Sequence, residues 1–338
     1  MSFKRLETDD FVVSADSVTA GLWSGNNAEL TSFYTSSTQV AGSSGNYYIN
    51  VYNNNSYENI QFAIAYGDVD GSGSVEFDSA VEGKSPSSTI YGQYRTLVLG
   101  DENAEFTFDG ADVASPNFYV ISVDRNRYKE SLFPGSTTLI LSSSAGEISL
   151  TDNSQVVTSV EFNDAGRVFQ LVSGSAGSVS STSPAANGYS NSGSYGWFLP
   201  DIATYILSAD VLDAAASDGG IALGTVRGNN TDSENPGRLY DAIVDGASFT
   251  ANSQETITSD FVFVRPRSSE FNYSENPSFI SGSTGEVIYN EFINNPQVYM
   301  TTVGLYNDNS ELLAVAKLSK PLLKDFTKEA LVRVKLDF

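Results

Sequence analysis

Apolar and polar positions alternate in short runs along most of the chain, and that pattern predicts β-strands. Near the C-terminal end, residues 297–305 and 311–318 predict two strands that flank the polar turn 307–310. The stretch 330–338 alternates strictly, with apolar residues on one face and charged residues on the other: Ala330, Val332, Val334, Leu336 and Phe338 against Arg333, Lys335 and Asp337. Because loose chain ends fray, we expect this last strand to be held in a sheet, either of its own fold or of a neighbouring molecule.

The same rhythm extends through the N-terminal half. Residues 47–52 and 60–66 predict a hairpin around the Asn-rich turn 53–56. Further strands are predicted at 94–99, 118–123, 137–141, 156–162, 167–172 and 255–265. The apolar residues and alanine run of 202–216 predict the one substantial helix. Many short strands between turn residues favour an all-β fold, with multi-stranded sandwich-like or barrel-like lobes and little helix.

A Gly/Ser-rich stretch divides the pattern near its middle. From residue 173 to residue 196, 14 of 24 residues are Ser or Gly. Such a composition is typical of a flexible linker, and a surface loop within one domain would show the same composition. A chain of 338 residues is long enough for two domains. We therefore expect an N-terminal β domain over 1–172, a loop or linker over 173–196, and a C-terminal β domain over 197–338.

Net charge limits the partners. The chain carries 41 acidic and 18 basic residues, a net charge of −23, which disfavours binding to a nucleic-acid backbone. The last 22 residues nevertheless carry +3, and the preceding 316 carry −26. A cationic end on an acidic chain predicts attraction to another copy or to an acidic partner. The alternative is that its lysines protect a sheet edge against aggregation.

Two residue types that serve much of enzyme chemistry are missing. The chain has no cysteine and no histidine, so disulfides, thiolate metal sites, cysteine nucleophiles and a Ser-His-Asp triad are excluded. No spacing singles out a catalytic pair among the carboxylates. We therefore expect no enzymatic activity and no cofactor. The first ten residues lack the apolar core of a secretion signal, and no run is long enough to span a membrane, so no membrane partner is expected.

One acidic loop imitates a calcium site. Oxygen-bearing side chains recur at alternate positions along it: Asp68, Asp70, Ser72, Ser74 and Glu76. Gly73 takes the sharp-turn position, but Ser79 stands where the bidentate glutamate of such a loop belongs. The loop therefore has two readings, a weak metal site or a plain polar turn between strands.

Two further features carry a structural and a functional interpretation each. Arg125, Arg127 and Lys129 follow a strong strand and are either surface charges on a turn or a clamp for a carboxylate-rich neighbour. Trp197 comes directly after the Gly/Ser stretch, and we expect it to anchor that loop by packing. The functional interpretation is that Trp197 is exposed and stacks on a sugar, as exposed aromatic side chains do.

Several stretches resemble known sequences. They are VGLYND at 303–308, LLAVAKLSKP at 312–321, NFYVISVDRNRYK at 117–129 and SEFNYS at 269–274. Together they resemble structural proteins of contractile-tailed bacteriophages, notably those that infect marine cyanobacteria. The resemblance implies a virion component of the tail, baseplate or neck, assembled in the host cytoplasm with other virion proteins and copies of itself. It implies no catalytic residues.

Three functions therefore compete. The first is a structural component of a phage particle. The second is a tail receptor-binding protein that binds or cleaves glycans, and the third is a calcium-dependent surface protein. For the first, we expect the C-terminal strand to make the main assembly contact. Val332, Val334, Leu336 and Phe338 would supply the apolar surface, and Arg333 and Lys335 the steering charge.

Overall fold

The computed structural model of the chain describes residues 3–36, 48–74, 85–110, 113–180, 193–228, 234–273 and 276–337. Of these residues, 42% lie in strands and 17% in helices, which confirms the all-β fold. The strands are β1 Phe11–Gly21, β2 Glu29–Leu30, β3 Tyr48–Tyr52, β4 Ile60–Asp68, β5 Asn117–Val123, β6 Ser131–Leu132, β7 Thr138–Ser142, β8 Glu147–Asp152, β9 Glu161–Asn163, β10 Gly166–Ser175, β11 Ser178–Val179, β12 Gly196–Leu199, β13 Thr204–Ser208, β14 Phe249–Thr250, β15 Asn252–Val264, β16 Gln297–Tyr306, β17 Leu312–Asp325 and β18 Val332–Asp337. The α-helices are α1 Pro86–Leu99, α2 Ala209–Asp213, α3 Asn235–Gly246 and α4 Asn290–Asn294.

The chain divides into two compact units, and the division differs from the sequence-based expectation. The central unit is Val18–Glu255, and the terminal unit combines Met1–Ser17 with Thr256–Phe338. The Gly/Ser stretch 173–196 does not separate them, because β10 and β12 on either side of it pair antiparallel, with Gln170 opposite Trp197. It is therefore a connection within one sheet, although its residues 181–192 lie outside the described residues. Loops and linkers share this composition, so only strand pairing distinguishes them.

The central unit is built on one long antiparallel sheet. Its strand order is β2-β14-β7-β8-β10-β12-β13-β5-β4-β3, with β9 and β11 also paired to β10. Successive side chains of a strand point to opposite faces, and here both faces are buried. Tyr119 and Ile121 of β5 pack in a large cluster that includes Leu239 of α3. Phe118 and Val120 pack in a second cluster that includes Tyr91 of α1. The sheet is thus covered by a helix on each side.

A helix occupies one predicted strand. Residues 94–99 form the last turns of α1. The local signals for this helix are clear in retrospect: Ser85 caps its N-terminus, Pro86 follows, and Gly100 ends it in the left-handed conformation with φ 66°. The strand prediction rested on aromatic and β-branched residues. It was wrong because those residues follow the helical period, which places Tyr91 and Val98 on the buried face.

The helix predicted at 202–216 is largely a strand. Thr204–Ser208 forms β13, buried at all five positions, and only Ala209–Asp213 is helical. A short, continuously apolar run fits a fully buried strand as well as a helix, and the sheet decides between them. The second long helix is α3, where the side chains of Leu239 and Ile243 are buried. The predicted strand 156–162 shrinks to Glu161–Asn163.

The terminal unit holds the C-terminal strands. Strands β1, β15 and β18 are neighbours in one sheet, in that order, and β16 and β17 form a separate hairpin. One face of the hairpin packs against the sheet around Val262, Val332 and Val334, through Val303, Leu305, Ala316 and Leu318. The predicted hairpin at 297–318 and the last strand are confirmed, as are the β3–β4 hairpin, β5, β7, β10 and β15.

Candidate functional site

The C-terminal strand belongs to the protein's own core. β18 pairs antiparallel with β15 from Val332 opposite Val264 to Asp337 opposite Ser259. Val332 and Val334 are 8% and 5% exposed, and Leu336 packs at the edge of the same cluster. The prediction that these three residues form an assembly interface is wrong, because they already face a core. Phe338 lies outside the described residues.

The charged face of β18 is exposed but partly engaged. The Arg333 guanidinium lies over the Phe261 ring at 5.3 Å from its centroid. The Lys335 ammonium lies 2.8 Å from the Asp337 carboxylate. Exposed pairs of this kind contribute little to stability. These cations are therefore surface charges on an internal strand, and their part in assembly stays a prediction.

The terminal unit exposes apolar side chains at several places, among them Val13 of β1 and Ile293 of α4, and one such group lies on the β16–β17 hairpin. Residues that pair across the two strands share a face of the hairpin. The face opposite the core includes two such pairs, Gly304 with Val315 and Thr302 with Lys317. Leu313 is 68% exposed and Val315 58% exposed. The surface formed by five residues is called the hairpin outer face below: Gly304, Tyr306, Leu313, Val315 and Lys317.

The hairpin outer face is shaped by the Tyr306 ring and is not covered by a further paired strand among the described residues. The Tyr306 ring lies against Gly304, where an added Cβ would come within 2.9 Å of a ring atom. The same ring meets Phe3 edge-on, with centroids 5.1 Å apart. Within the described residues, neither β16 nor β17 pairs with a third strand. An isolated two-stranded ribbon with apolar side chains on its open face is a typical place for a partner to bind.

A lysine clamp fixes the chain beside the hairpin. Lys324 of β17 is buried, and its ammonium donates to the Ser268 carbonyl at 3.0 Å and to Asn272 Oδ1 at 2.8 Å. Lys4 donates to Glu270 Oε2 at 3.0 Å. These contacts order the segment 268–272, which overlaps the stretch 269–274 named in the sequence analysis.

An acidic aromatic pocket lies on the central unit. Its volume is about 220 Å³, and its walls come from β9, β10, β12 and the segment before β5: Thr107, Asp109, Glu161, Phe162, Asn163, Val168, Gln170 and Trp197. Phe162 is 72% exposed, and Trp197 is only 9% exposed. We call this feature the Phe162 pocket. Asp109 and Glu161 give it a negative wall.

Trp197 is held by packing, as expected for an anchor. Its ring lies 5.7 Å from the Phe106 ring and 5.2 Å from the Phe108 ring. Its buried indole N–H has no hydrogen-bond acceptor among the described residues. Sequence reasoning located Trp197 but missed the pocket, because Asp109, Glu161 and Trp197 are far apart in the chain.

The Asp68 loop is occupied by its own protein contacts. Asp68 is fully buried; its Oδ1 accepts from the backbone N–H groups of Asp70 at 3.0 Å and Ser72 at 3.1 Å. Its Oδ2 accepts from Arg227 Nε at 2.6 Å and from the Tyr66 hydroxyl at 3.3 Å.

The other predicted calcium ligands are tied down as well. Arg227 also lies 3.3 Å from Asp70 Oδ2. The Ser87 hydroxyl donates to the Ser72 carbonyl at 3.0 Å, and its oxygen lies 3.1 Å from Ser74 Oγ. Glu76 lies outside the described residues, and no metal-sized group of three or more acidic side chains occurs in the described part of the chain. These contacts favour the plain-turn reading.

Two carboxylates of α2 have unusual environments. Burial raises the pKa of Asp210 to about 6; the nearby Arg227 charge opposes this shift and the Asp213 charge adds to it. One oxygen of Asp210 is buried and has no hydrogen-bond partner in the part of the chain that the structure describes. Burial also raises the pKa of Asp213, whose Oδ1 accepts from the Thr225 N–H and hydroxyl, each at 2.9 Å. Sequence reasoning missed both residues, since 41 acids offer no local signal for burial.

The basic turn after β5 is used within the protein. Arg125 donates to the carbonyls of Tyr128 at 2.6 Å and Lys129 at 2.7 Å. Arg127 donates to Ser24 Oγ at 2.7 Å, and Lys129 lies 2.5 Å from Glu255. These internal contacts favour the turn interpretation over the clamp.

No family model, curated protein or solved structure matches this chain. Among the described residues, no helix combines the length and apolar character needed to cross a membrane. Function must therefore be inferred from the two surfaces described above and from the sequence resemblance.

Proposed function

We propose that the protein is a non-enzymatic structural component of a bacteriophage particle, of its tail or baseplate, and that it works through protein–protein contacts. The observation that carries this proposal is the hairpin outer face. Leu313 and Val315 lie on this two-stranded ribbon and are 68% and 58% exposed. Each side chain of this size contributes about 1.5–3 kcal/mol when fully buried, so leaving both in water favours a partner.

The sequence resemblance supports the same reading. The stretches 303–308 and 312–321 that resemble phage structural proteins make up most of the β16–β17 hairpin and its turn. Tail and baseplate proteins assemble by such contacts with neighbouring virion proteins and with copies of themselves. The residues that carry the resemblance and the residues that form the open surface are thus largely the same.

Purified, washed virions provide the test. We expect the protein at stoichiometric abundance relative to other virion proteins in quantitative mass spectrometry. In particles assembled with Leu313→Gln, we expect a several-fold lower abundance at unchanged solubility. Leu97→Gln is the matched control, since Leu97 is 48% exposed on a helix of the central unit. Absence of the wild-type protein from washed virions would refute the proposal, and turnover of a capsular polysaccharide or peptidoglycan would refute its non-enzymatic part.

A further inference from the structure

The hairpin outer face and the Phe162 pocket are complementary surfaces on different units. We propose that the hairpin outer face of one copy docks into the Phe162 pocket of a second copy, giving a head-to-tail contact between identical chains. This inference rests on the proposed function, for which it names the partner. Three properties of the surfaces support it: apolar character, size and charge.

Both surfaces expose apolar side chains that a contact would cover. On the hairpin these are Leu313 and Val315, and on the pocket the most exposed is Phe162, at 72%. Val156 and Val160, in the segment that leads into β9, are 60% and 44% exposed. An exposed apolar side chain that lines a concave site, as Phe162 does, is typical of a protein-binding surface.

The pocket is sized for side chains of the hairpin. Its volume of about 220 Å³ accepts an aliphatic side chain such as Leu313 and leaves room beside it. The floor is formed by Val168 of β10 and Trp197 of β12, held in a rigid sheet. An apolar anchor in a preformed pocket is the usual arrangement at the centre of a protein interface.

Charge selects the pairing. The central unit carries 27 acidic against eight basic residues, and residues 130–166 include five acids without a single lysine or arginine. Asp109 and Glu161 bring that negative charge to the pocket. The hairpin presents Lys317 and Lys320, both exposed, from β17. Opposite potentials steer two surfaces together and suppress wrong partners.

The geometry of the assembly follows from the use of two different surfaces. A contact between unlike patches is heterologous, so after the first contact the pair keeps one free pocket, on the copy that used its hairpin, and one free hairpin, on the other copy. Repetition closes into a ring or continues as a filament.

A charge-reversal cycle on the full-length protein tests the inference. In analytical ultracentrifugation at low salt, we expect concentration-dependent self-association of the wild type. Lys317→Glu and Glu161→Lys should each raise the dissociation constant about tenfold or more, and the double variant should return to within about threefold of the wild type. Leu313→Gln and Phe162→Gln should each weaken association, with circular dichroism unchanged. The matched controls are Lys328→Glu and Glu102→Lys, which should leave the dissociation constant unchanged.

The outcomes separate the two proposals. A wild type that stays monomeric at about 0.5 mM, or a charge cycle without recovery, overturns the head-to-tail contact. Saturable binding of a glycan at Phe162 without self-association also overturns it. If such a protein is nevertheless abundant in washed virions, the proposed function stands and the hairpin binds a different virion protein. If the double charge variant recovers self-association but the wild-type protein is absent from washed virions, the head-to-tail contact stands and the proposed function fails.

Discussion

At the scale of single residues, buried charge distinguishes otherwise similar aspartates. Asp68 is fully buried and receives two backbone N–H groups, a hydroxyl and the Arg227 guanidinium. Asp210 is only partly buried, but one of its oxygens finds no partner among the described residues, and its pKa is raised to about 6 mainly by burial. Asp68 is therefore a stabilised carboxylate, whereas ionised Asp210 costs stability at neutral pH.

We predict that Asp210→Asn stabilises the protein at neutral pH. A carboxyl with a raised folded-state pKa favours folding below its unfolded pKa of about 4, and this contribution falls as pH rises to about 6. A folded-state pKa of about 6 against about 4 in the unfolded chain would correspond to about 3 kcal/mol of unfolding free energy for a fully buried carboxyl. Because the side chain is partly exposed, we expect about 1 kcal/mol. Urea unfolding at pH 7.5 and pH 4 measures it: the gain should vanish at the lower pH. A gain that does not change with pH would contradict the assignment, and Glu102→Gln, at an exposed site, serves as control.

Removing the partner of Asp68 should have the opposite effect. Arg227→Gln leaves a buried carboxylate without its cation and should destabilise the protein by about 2–3 kcal/mol, less than a fully buried pair because Arg227 is 35% exposed. In Asp68→Asn/Arg227→Gln, part of this loss should be recovered, since no charge remains buried. Guanidinium unfolding of both variants is the measurement. Equal stability of Arg227→Gln and wild type would show that the backbone N–H groups alone suffice.

The calcium hypothesis has its own test at the same loop. Asp68, Asp70, Ser72 and Ser74 already bind protein groups, so calcium would have to displace the Arg227 guanidinium from two of them. We therefore predict that about 1 mM calcium leaves the melting temperature unchanged. A ligand that binds the native state must raise it. A rise of several degrees, lost in Asp70→Asn, would restore the calcium reading.

At the scale of elements, the face of β18 decides its role. Val332 and Val334 lie in the core of the terminal unit, and Arg333 and Lys335 lie in solvent. We predict that Val334→Ala destabilises the terminal unit by about 1–3 kcal/mol through the cavity that it leaves. Lys335→Ala should change it by less than about 0.5 kcal/mol. Hydrogen exchange of β15 amides reports both, because β18 is the hydrogen-bonded neighbour of β15. Equal hydrogen-exchange protection of the β15 amides in the two variants would contradict the core role of Val334 and would favour the assembly role predicted for β18.

At the scale of the whole molecule, the two units differ in the size of their cores. The central unit has two clusters that include Phe62, Phe118 and Tyr205, whereas the terminal cluster has three buried members among the described residues: Val262, Val332 and Val334. We predict that the terminal unit opens at lower denaturant than the central unit. Trp23 and Trp197 both lie in the central unit, so tryptophan fluorescence should report only the later transition. Hydrogen exchange of β16–β17 should report the earlier one. Coincident transitions from the two probes would mean that the protein unfolds as one cooperative body.

Local patterns in the sequence determined the fold class, the hairpins β3–β4 and β16–β17, and the two-faced character of β18. These features depend on residues within a few positions of one another, where alternation and turn chemistry act. The same local signals misread α1 and β13, because aromatic runs and short apolar runs occur in both kinds of element. They located the acidic loop at Asp68 but not its cation, which is 159 residues away.

Only the tertiary structure decided which core each apolar face belongs to. Residues 173–196 connect two paired strands of one sheet, and β18 completes a sheet of its own chain. The exposed hairpin face and the Phe162 pocket likewise emerge only once the chain is folded, because their residues come together from distant positions or are left outside the cores. The physical reason is that burial is a contact between distant parts of the chain. A strand's pattern states that one face must be covered, and the fold determines what covers it.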